Sequence, residues 1–157
     1  MRSGHSGLEL RIPPLVVVLL LGAAMWWLAS LAPELTVGYP GRVPAALAML
    51  VLGIVVIIAA LREFKRHQTT PDPTRPETST AVVKTGIYSV SRNPMYLGMV
   101  LLLIAWGIKL SNPIAVLGPI VFVLYMNRFQ IAPEERALAK IFGAPYEQYL
   151  RSVRRWV

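Results

Sequence analysis

Apolar positions in this chain fall in long blocks, without the two-residue alternation of a strand or the one-sided stripe of a soluble helix. Pro13 to Leu31 and Pro44 to Leu61 contain no charged residue, and each approaches the roughly 20 residues a helix needs to cross a hydrocarbon layer. Two shorter blocks follow, Met95 to Gly107 and Pro113 to Tyr125, and reach useful length through Ile108 and through Met126 and Asn127. The polar break at Lys109 to Asn112 makes them a tight helical hairpin. The pattern predicts an all-α, polytopic membrane protein with four transmembrane helices and a single domain over residues 1–157. Its parts are two N-terminal spans in 1–62, a loop over 63–94, the hairpin over 95–131 and amphipathic C-terminal helices over 132–157.

The polar segments between these blocks are short. Ala32 to Val43 carries Pro33, Gly38, Pro40 and Gly41, which mark a turn between the first two spans. Beyond Arg62 to His67, the stretch Gln68 to Thr80 holds Pro71, Pro73 and Pro76 and cannot continue a helix. Val82 to Tyr88 reads as a short extended or turn segment in which Gly86 is free to take positive φ. After the fourth block, Pro133 suits a first helical position, Glu134 and Glu135 fall in the positive first turn, and Gly143 ends that helix. Pro145 starts another helix, with Tyr146, Tyr149, Leu150 and Val153 on one face and Glu147, Arg151, Arg154 and Arg155 elsewhere. Its basic face, with Trp156 at the end, suits the headgroup layer.

Composition agrees with lipid as solvent: of 157 residues, 55% are hydrophobic and only 15% charged. The first block exceeds a signal-peptide core and reads as an anchor. With no cysteine, disulfides, thiolate metal sites and cysteine nucleophiles are excluded. The net charge of +8 reports topology once it is mapped. With the amino terminus inside, all basic residues except Arg42 and Lys109 fall on the cytoplasmic side, as do both termini. Such a charge calls for a membrane surface, not nucleic acid. His5 and His67 are isolated, so no metal site is expected. No glycine-rich nucleotide loop is present.

Chemistry-capable residues concentrate in two clusters. The first, Lys84 to Gly98, begins in a loop and ends inside the third block. Pro94 at the first helical position makes Asn93 an N-cap, and Arg92 beside that terminus can bind a carboxylate bidentately. The alternative for this cluster is a capped helix with a snorkelling arginine. The second is Glu134-Glu135, where adjacent carboxylates about 100° apart on a helix are unsuited to sharing a proton. One can accept hydrogen bonds from a ligand while the other pairs, or both can serve only the helix dipole.

Together the clusters resemble the signature of the integral membrane methyltransferases that include isoprenylcysteine carboxyl methyltransferase and phospholipid N-methyltransferases. The matching residues are Gly86, Tyr88, Arg92, Pro94, Tyr96 and Gly98, then Glu134, Glu135, Leu138, Phe142, Gly143, Tyr146, Tyr149, Val153 and Arg154. The similarity covers roughly the carboxyl-terminal half. Asn93 stands where that family usually has histidine; it keeps a donor and an acceptor but does not titrate near neutrality.

The resemblance implies S-adenosyl-L-methionine bound between the cytoplasmic loops and the C-terminal helices, with a membrane lipid or lipophilic acceptor reaching it from the bilayer. It implies cofactor contacts from Lys84, Thr85, Gly86, Tyr88, Arg92, Asn93, Pro94, Tyr96, Leu97, Gly98, Glu134, Glu135 and Tyr146. Arg92, Glu135 and Arg154 are the expected catalytic set, Arg154 orienting an anionic acceptor. A noncatalytic scaffold of the same fold is the competing reading. A transporter is disfavoured, because none of the blocks carries an interior charge.

Overall fold

The computed structural model describes residues 9–69 and 80–157, and among these residues all regular structure is helical. The expectations for Arg2, His5, Pro71, Pro73, Arg75 and Pro76 fall outside the described residues. Helix α1 spans Pro14–Leu31, α2 Arg42–Arg66 and α3 Pro94–Leu110; α4 (Leu117–Tyr125) and α5 (Ala132–Phe142) follow, and α6 is Ala144–Ser152. Among the described residues, three helices are long and apolar enough to cross a membrane: α1, α2 and the continuous run Pro113–Phe142. Helix α3 is shorter at 17 residues, about 26 Å at 1.5 Å per residue, the lower limit for a span. The chain is thus a polytopic all-α membrane protein.

Small residues set the closest helix contact. Helices α2 and α3 pack along their lengths, and the contact turns on Gly53 and Gly98. A Cβ at Gly98 would lie 2.8 Å from the Gly53 carbonyl oxygen and 2.5 Å from Ile57 Cγ1. One at Gly53 would lie 2.9 Å from the Gly98 oxygen. Backbones approach because neither residue has a side chain, the usual device where lipid removes a hydrophobic drive between helices. Helix α1 is tied to α3 by Trp106 Nε1, which donates to the Gly22 carbonyl at 3.0 Å. Met25, Leu103, Phe122, Met126 and Ile131 fill the space between α1, α3 and α4.

The hairpin turns where the sequence places it. Ser111 takes a left-handed conformation at φ 52, and the buried Asn112 caps the next turn by accepting from Ile114 N–H at 3.0 Å. Asn112 Nδ2 also donates to the Ala32 carbonyl at 2.9 Å and to Thr36 Oγ1 at 3.2 Å, joining the two loops at this end.

Three expectations are corrected. Helix α2 is longer than Pro44 to Leu61, because Arg62 to Arg66 are good helix formers and Lys65 and Arg66 complement the C-terminal dipole. Glu134 and Glu135 do fall in the first turn of α5, with Pro133 at its start and Gly143 at its end, but α5 is not detached from the fourth span. The fourth span runs into them through a π turn, Met126–Ile131, in which Ala132 N–H donates to the Asn127 carbonyl five residues back. Pro133 explains the irregularity: it has no N–H for the Phe129 carbonyl, and its ring crowds that carbonyl in an α-helix. Finally, α6 stops at Ser152, so Val153 is extended rather than helical, and Trp156 turns inward to donate to Asn127 Oδ1 at 3.1 Å.

Gly98→Ala is expected to cost about 1–3 kcal/mol by overpacking the α2–α3 contact. Thermal unfolding in detergent should show a lowered midpoint, and an unchanged midpoint would contradict backbone packing at this glycine.

Candidate active site

The start of α3, the end of α2, helix α5 and the chain following α6 all meet at one end of the bundle. Each arrives for a local reason. Gly86, at φ +57, turns the chain into a short 3-10 turn, Gly86–Ser89, that lays Tyr88 against Phe64 with ring centroids 5.4 Å apart. A Cβ at Gly86 would sit 2.7 Å from the Glu63 carboxylate, so glycine is required by conformation and by space. Thr85 Oγ1 donates to Glu63 Oε2 at 2.6 Å, and Arg66 Nη1 donates to Glu63 Oε1 at 3.1 Å. His67 Nε2 lies 2.8 Å from Thr85 Oγ1. The end of α2 therefore holds the turn that delivers Tyr88 and Arg92.

Arg92 is the centre of the cluster. Its Nη2 donates to Glu135 Oε1 at 2.8 Å, while Nη1 donates to the carbonyls of Leu150 and Val153 at 2.7 and 2.6 Å. Those carbonyls lie at the C-terminal end of α6, where a guanidinium is favoured by the helix dipole. Arg92 N–H donates to the Arg154 carbonyl at 3.0 Å. Glu135 is shared: Arg155 Nε reaches its Oε1 at 3.2 Å and Nη2 its Oε2 at 2.5 Å. The side chains of Arg92 and Glu135 are 12% and 14% exposed, so removing one charge would strand the other. Among the described residues, Arg92 Nε is a buried donor without a protein partner.

Beside this network, Tyr96 Oη donates to Glu134 Oε2 at 2.9 Å, and Tyr149 Oη donates to the Tyr88 carbonyl at 2.7 Å. Tyr146 and Tyr149 are buried on one face of α6, 6.1 Å apart between ring centroids. Burial pushes the hydroxyls of Tyr88, Tyr146 and Tyr149 well above the usual tyrosine range, so they remain protonated donors. Asn93 does not cap α3 with its side chain. Its Nδ2 donates instead to the Arg155 carbonyl at 3.0 Å, because the C-terminal segment crosses in front of it.

Of the residues singled out from sequence, Tyr88, Arg92, Asn93, Tyr96, Glu134, Glu135 and Tyr146 converge here. Pro94 is buried at the start of α3. Leu97 is half-buried one turn in, and Gly98 lies against α2. Lys84 is exposed, and the Thr85 hydroxyl is committed to Glu63. The side chain of Arg154 is exposed and contributes its backbone carbonyl, whereas Arg155 supplies the guanidinium on Glu135. Arg155 and Glu63 were not anticipated. The helix stop at Ser152, which decides which arginine faces inward, carries no glycine or proline signal; the partner of Glu63 lies 22 residues away.

A bundle of apolar helices whose arginine, glutamate and tyrosine side chains gather at one end is the arrangement of an integral membrane protein. Residues 42–145 match the phospholipid methyltransferase family, and the chain belongs to that family. An uncharacterised protein of Haemophilus influenzae is 49% identical over 63 residues, 40% of this chain and the whole of that protein. A protein-S-isoprenylcysteine O-methyltransferase of Saccharomyces cerevisiae is 35% identical over 83 residues, 51% of this chain and 34% of that protein. A probable protein-S-isoprenylcysteine O-methyltransferase of Oryza sativa subsp. indica is 30% identical over 132 residues, 80% of this chain and 65% of that protein. The chain therefore spans about a third to two thirds of these two isoprenylcysteine methyltransferases. No solved structure matches it.

Glu135→Ala leaves two guanidiniums without their carboxylate and is expected to cost about 3–5 kcal/mol. Arg154→Ala should stay within about 0.5 kcal/mol. Melting midpoints of the two variants in one detergent compare these costs; equal shifts would contradict the assignment of the buried network to Arg155.

Proposed function

We propose that this chain is an S-adenosylmethionine-dependent methyltransferase working at the membrane boundary on a lipophilic or amphiphilic acceptor. Methylation of an isoprenylcysteine-like carboxylate, or of a thiol, is the favoured reaction. The observation that carries this reading is the buried Arg92–Glu135–Arg155 network on a chain of this family, with the Arg92 Nε donor unpartnered. S-adenosylmethionine bears a carboxylate, an ammonium and a sulfonium, and arginine beside paired glutamates suits all three. Arg92, Asn93, Tyr96, Glu134, Glu135 and Tyr146 are the residues that would hold it, with the Gly86–Ser89 turn carrying Tyr88 to the same end. Lys84, Thr85, Pro94, Leu97 and Gly98 support them by shaping the turn and the start of α3.

When bound, S-adenosylmethionine supplies an activated methyl group whose positive charge is lost on transfer. Orientation and exclusion of water then provide much of the acceleration. Glu135 holds the plane of the Arg92 guanidinium, Tyr96 orients Glu134, and Arg154, exposed beside them, orients an anionic acceptor. A carboxylate acceptor needs no base. An ammonium acceptor must first lose a proton, and the tyrosines are held protonated by burial. His67 is engaged with Thr85 at the end of α2. A carboxylate acceptor is therefore favoured, and a thiol only as its thiolate; in the alternative, phospholipid amine methylation, the Glu134 carboxylate beside Tyr96 is the group placed to take the proton. A noncatalytic scaffold draws its support from Asn93 in the family's histidine position.

The site end faces the cytoplasm in this proposal, because the described lysines and arginines lie there except Arg42 and Lys109. In this proposal the described chain before α1 and the segment after α6 lie on that same side.

Methyl transfer from labelled S-adenosylmethionine to farnesylcysteine analogues, phosphatidylethanolamine and small thiols tests the reading. Arg92→Ala and Glu135→Ala should each weaken S-adenosylhomocysteine binding in calorimetry by at least about tenfold, the scale of a lost charge-assisted hydrogen bond. Absence of binding to the unaltered chain in two lipid compositions would refute the enzyme. For a carboxylate acceptor the acceptor itself adds no rise in rate above its carboxyl pKa of about 4. An amine acceptor instead gives a rise of about tenfold per pH unit below its pKa.

A further inference from the structure

Taking the Arg92–Glu135 end as the methyl-transfer site, we infer that Glu9 and Leu10 form a clamp that holds the π turn in place. The clamp thereby fixes the rotation at which α5 presents Glu134 and Glu135, and Glu9 is its positioning residue. Both residues lie before α1 and outside the 42–145 region that matches the family.

Two independent contacts converge on the turn. Leu10 N–H donates to the Phe129 carbonyl at 3.1 Å, the carbonyl that Pro133 has no N–H to serve in an α-helical pattern. Leu10 adopts φ 58 to make this bond, a left-handed conformation unfavourable for a residue with a Cβ. The Glu9 carboxylate meanwhile bridges the turn: Arg128 Nη1 lies 2.9 Å from Oε1 and Arg136 Nη2 lies 2.9 Å from Oε2. Its side chain is 5% exposed, although the arginines are more than half exposed.

The bridge is sensitive to helix register. Eight residues separate Arg128 from Arg136; in an unbroken α-helix they turn about 800°, leaving the pair about 80° apart. A π turn accommodates one extra residue, so the pair behaves as seven apart and falls within about 20° of one face. One carboxylate then reaches both. Contraction of the turn to α geometry would separate the arginines and rotate α5 by about 100°. That rotation would carry Glu135 from Arg92 and Arg155, and Glu134 from Tyr96. The clamp and the site therefore demand the same register.

Hydrogen exchange of residues 127–132 and S-adenosylhomocysteine calorimetry on the full chain in detergent test the clamp. Glu9→Gln should speed exchange in the turn about tenfold relative to α2 and α3, as expected for two partly exposed ion pairs. It should weaken binding at least about fivefold, a smaller effect than removal of a ligand-contacting charge. The melting midpoint should stay near that of a Lys140→Ala control on the same helix, and Glu9→Asp should restore binding. Pro133→Ala, which returns an N–H to the Phe129 carbonyl, should weaken binding with Glu9 intact. The clamp is overturned if Glu9→Gln leaves turn exchange within about twofold of wild type, or speeds exchange equally in every helix. If the unaltered chain does not bind S-adenosylhomocysteine, the methyl-transfer reading fails, while the exchange result still decides the clamp.

Discussion

A single carboxylate, that of Glu135, holds guanidiniums from opposite sides of the site. Arg92 comes from the entrance to α3 and Arg155 from beyond α6, so three segments distant in sequence are fixed by one group. The arrangement leaves two positive charges against one negative charge at a largely water-excluded position. Such a triad is not an efficient source of stability, because desolvation offsets much of the attraction. Its effect is to define position: the fork of Arg92 is oriented by Glu135 on one arm and by two carbonyls at the end of α6 on the other.

That position is inherited from the membrane helices. Close backbone contact at Gly53 and Gly98 sets the depth of α3 against α2, and the end of α2 then holds the Gly86 turn through Glu63 and Thr85. On the other side, Phe122, Met126 and Ile131 anchor the fourth span in the core while the π turn resets rotation before the glutamates. The apolar interior fixes where each element enters the boundary. The polar ends determine what is displayed there.

Much of this was legible in the residues. The apolar blocks located the membrane helices and the hairpin, Gly86 takes the positive φ expected of it, Gly143 ends α5 as expected, and the spacing of the two clusters led to the family. What escaped depends on contacts that periodicity does not encode. Pro133 reads equally well as a helix start or as an irregularity inside a longer helix, and the choice rests on Leu10 and Glu9 more than a hundred residues away. Arg154 and Arg155 are indistinguishable in composition; the end of α6 at Ser152 turns one outward and the other onto Glu135. Asn93 looked like a cap because it precedes a proline-led helix, but the crossing C-terminal segment offers its amide a carbonyl instead.

The Gly53–Gly98 contact has a further consequence for how rigidly the two sides of the bundle are held. Helices locked backbone to backbone cannot slide by a fraction of a turn without collision, so the wall formed by α2 and α3 is stationary. The opposite wall is different: α5 and α6 are short, meet at Gly143 and, among the described residues, have no comparable glycine contact. The α2–α3 pair is therefore the fixed frame of the bundle, and the α5–α6 layer is held to it through the polar contacts of Arg92 with Glu135 and with the end of α6.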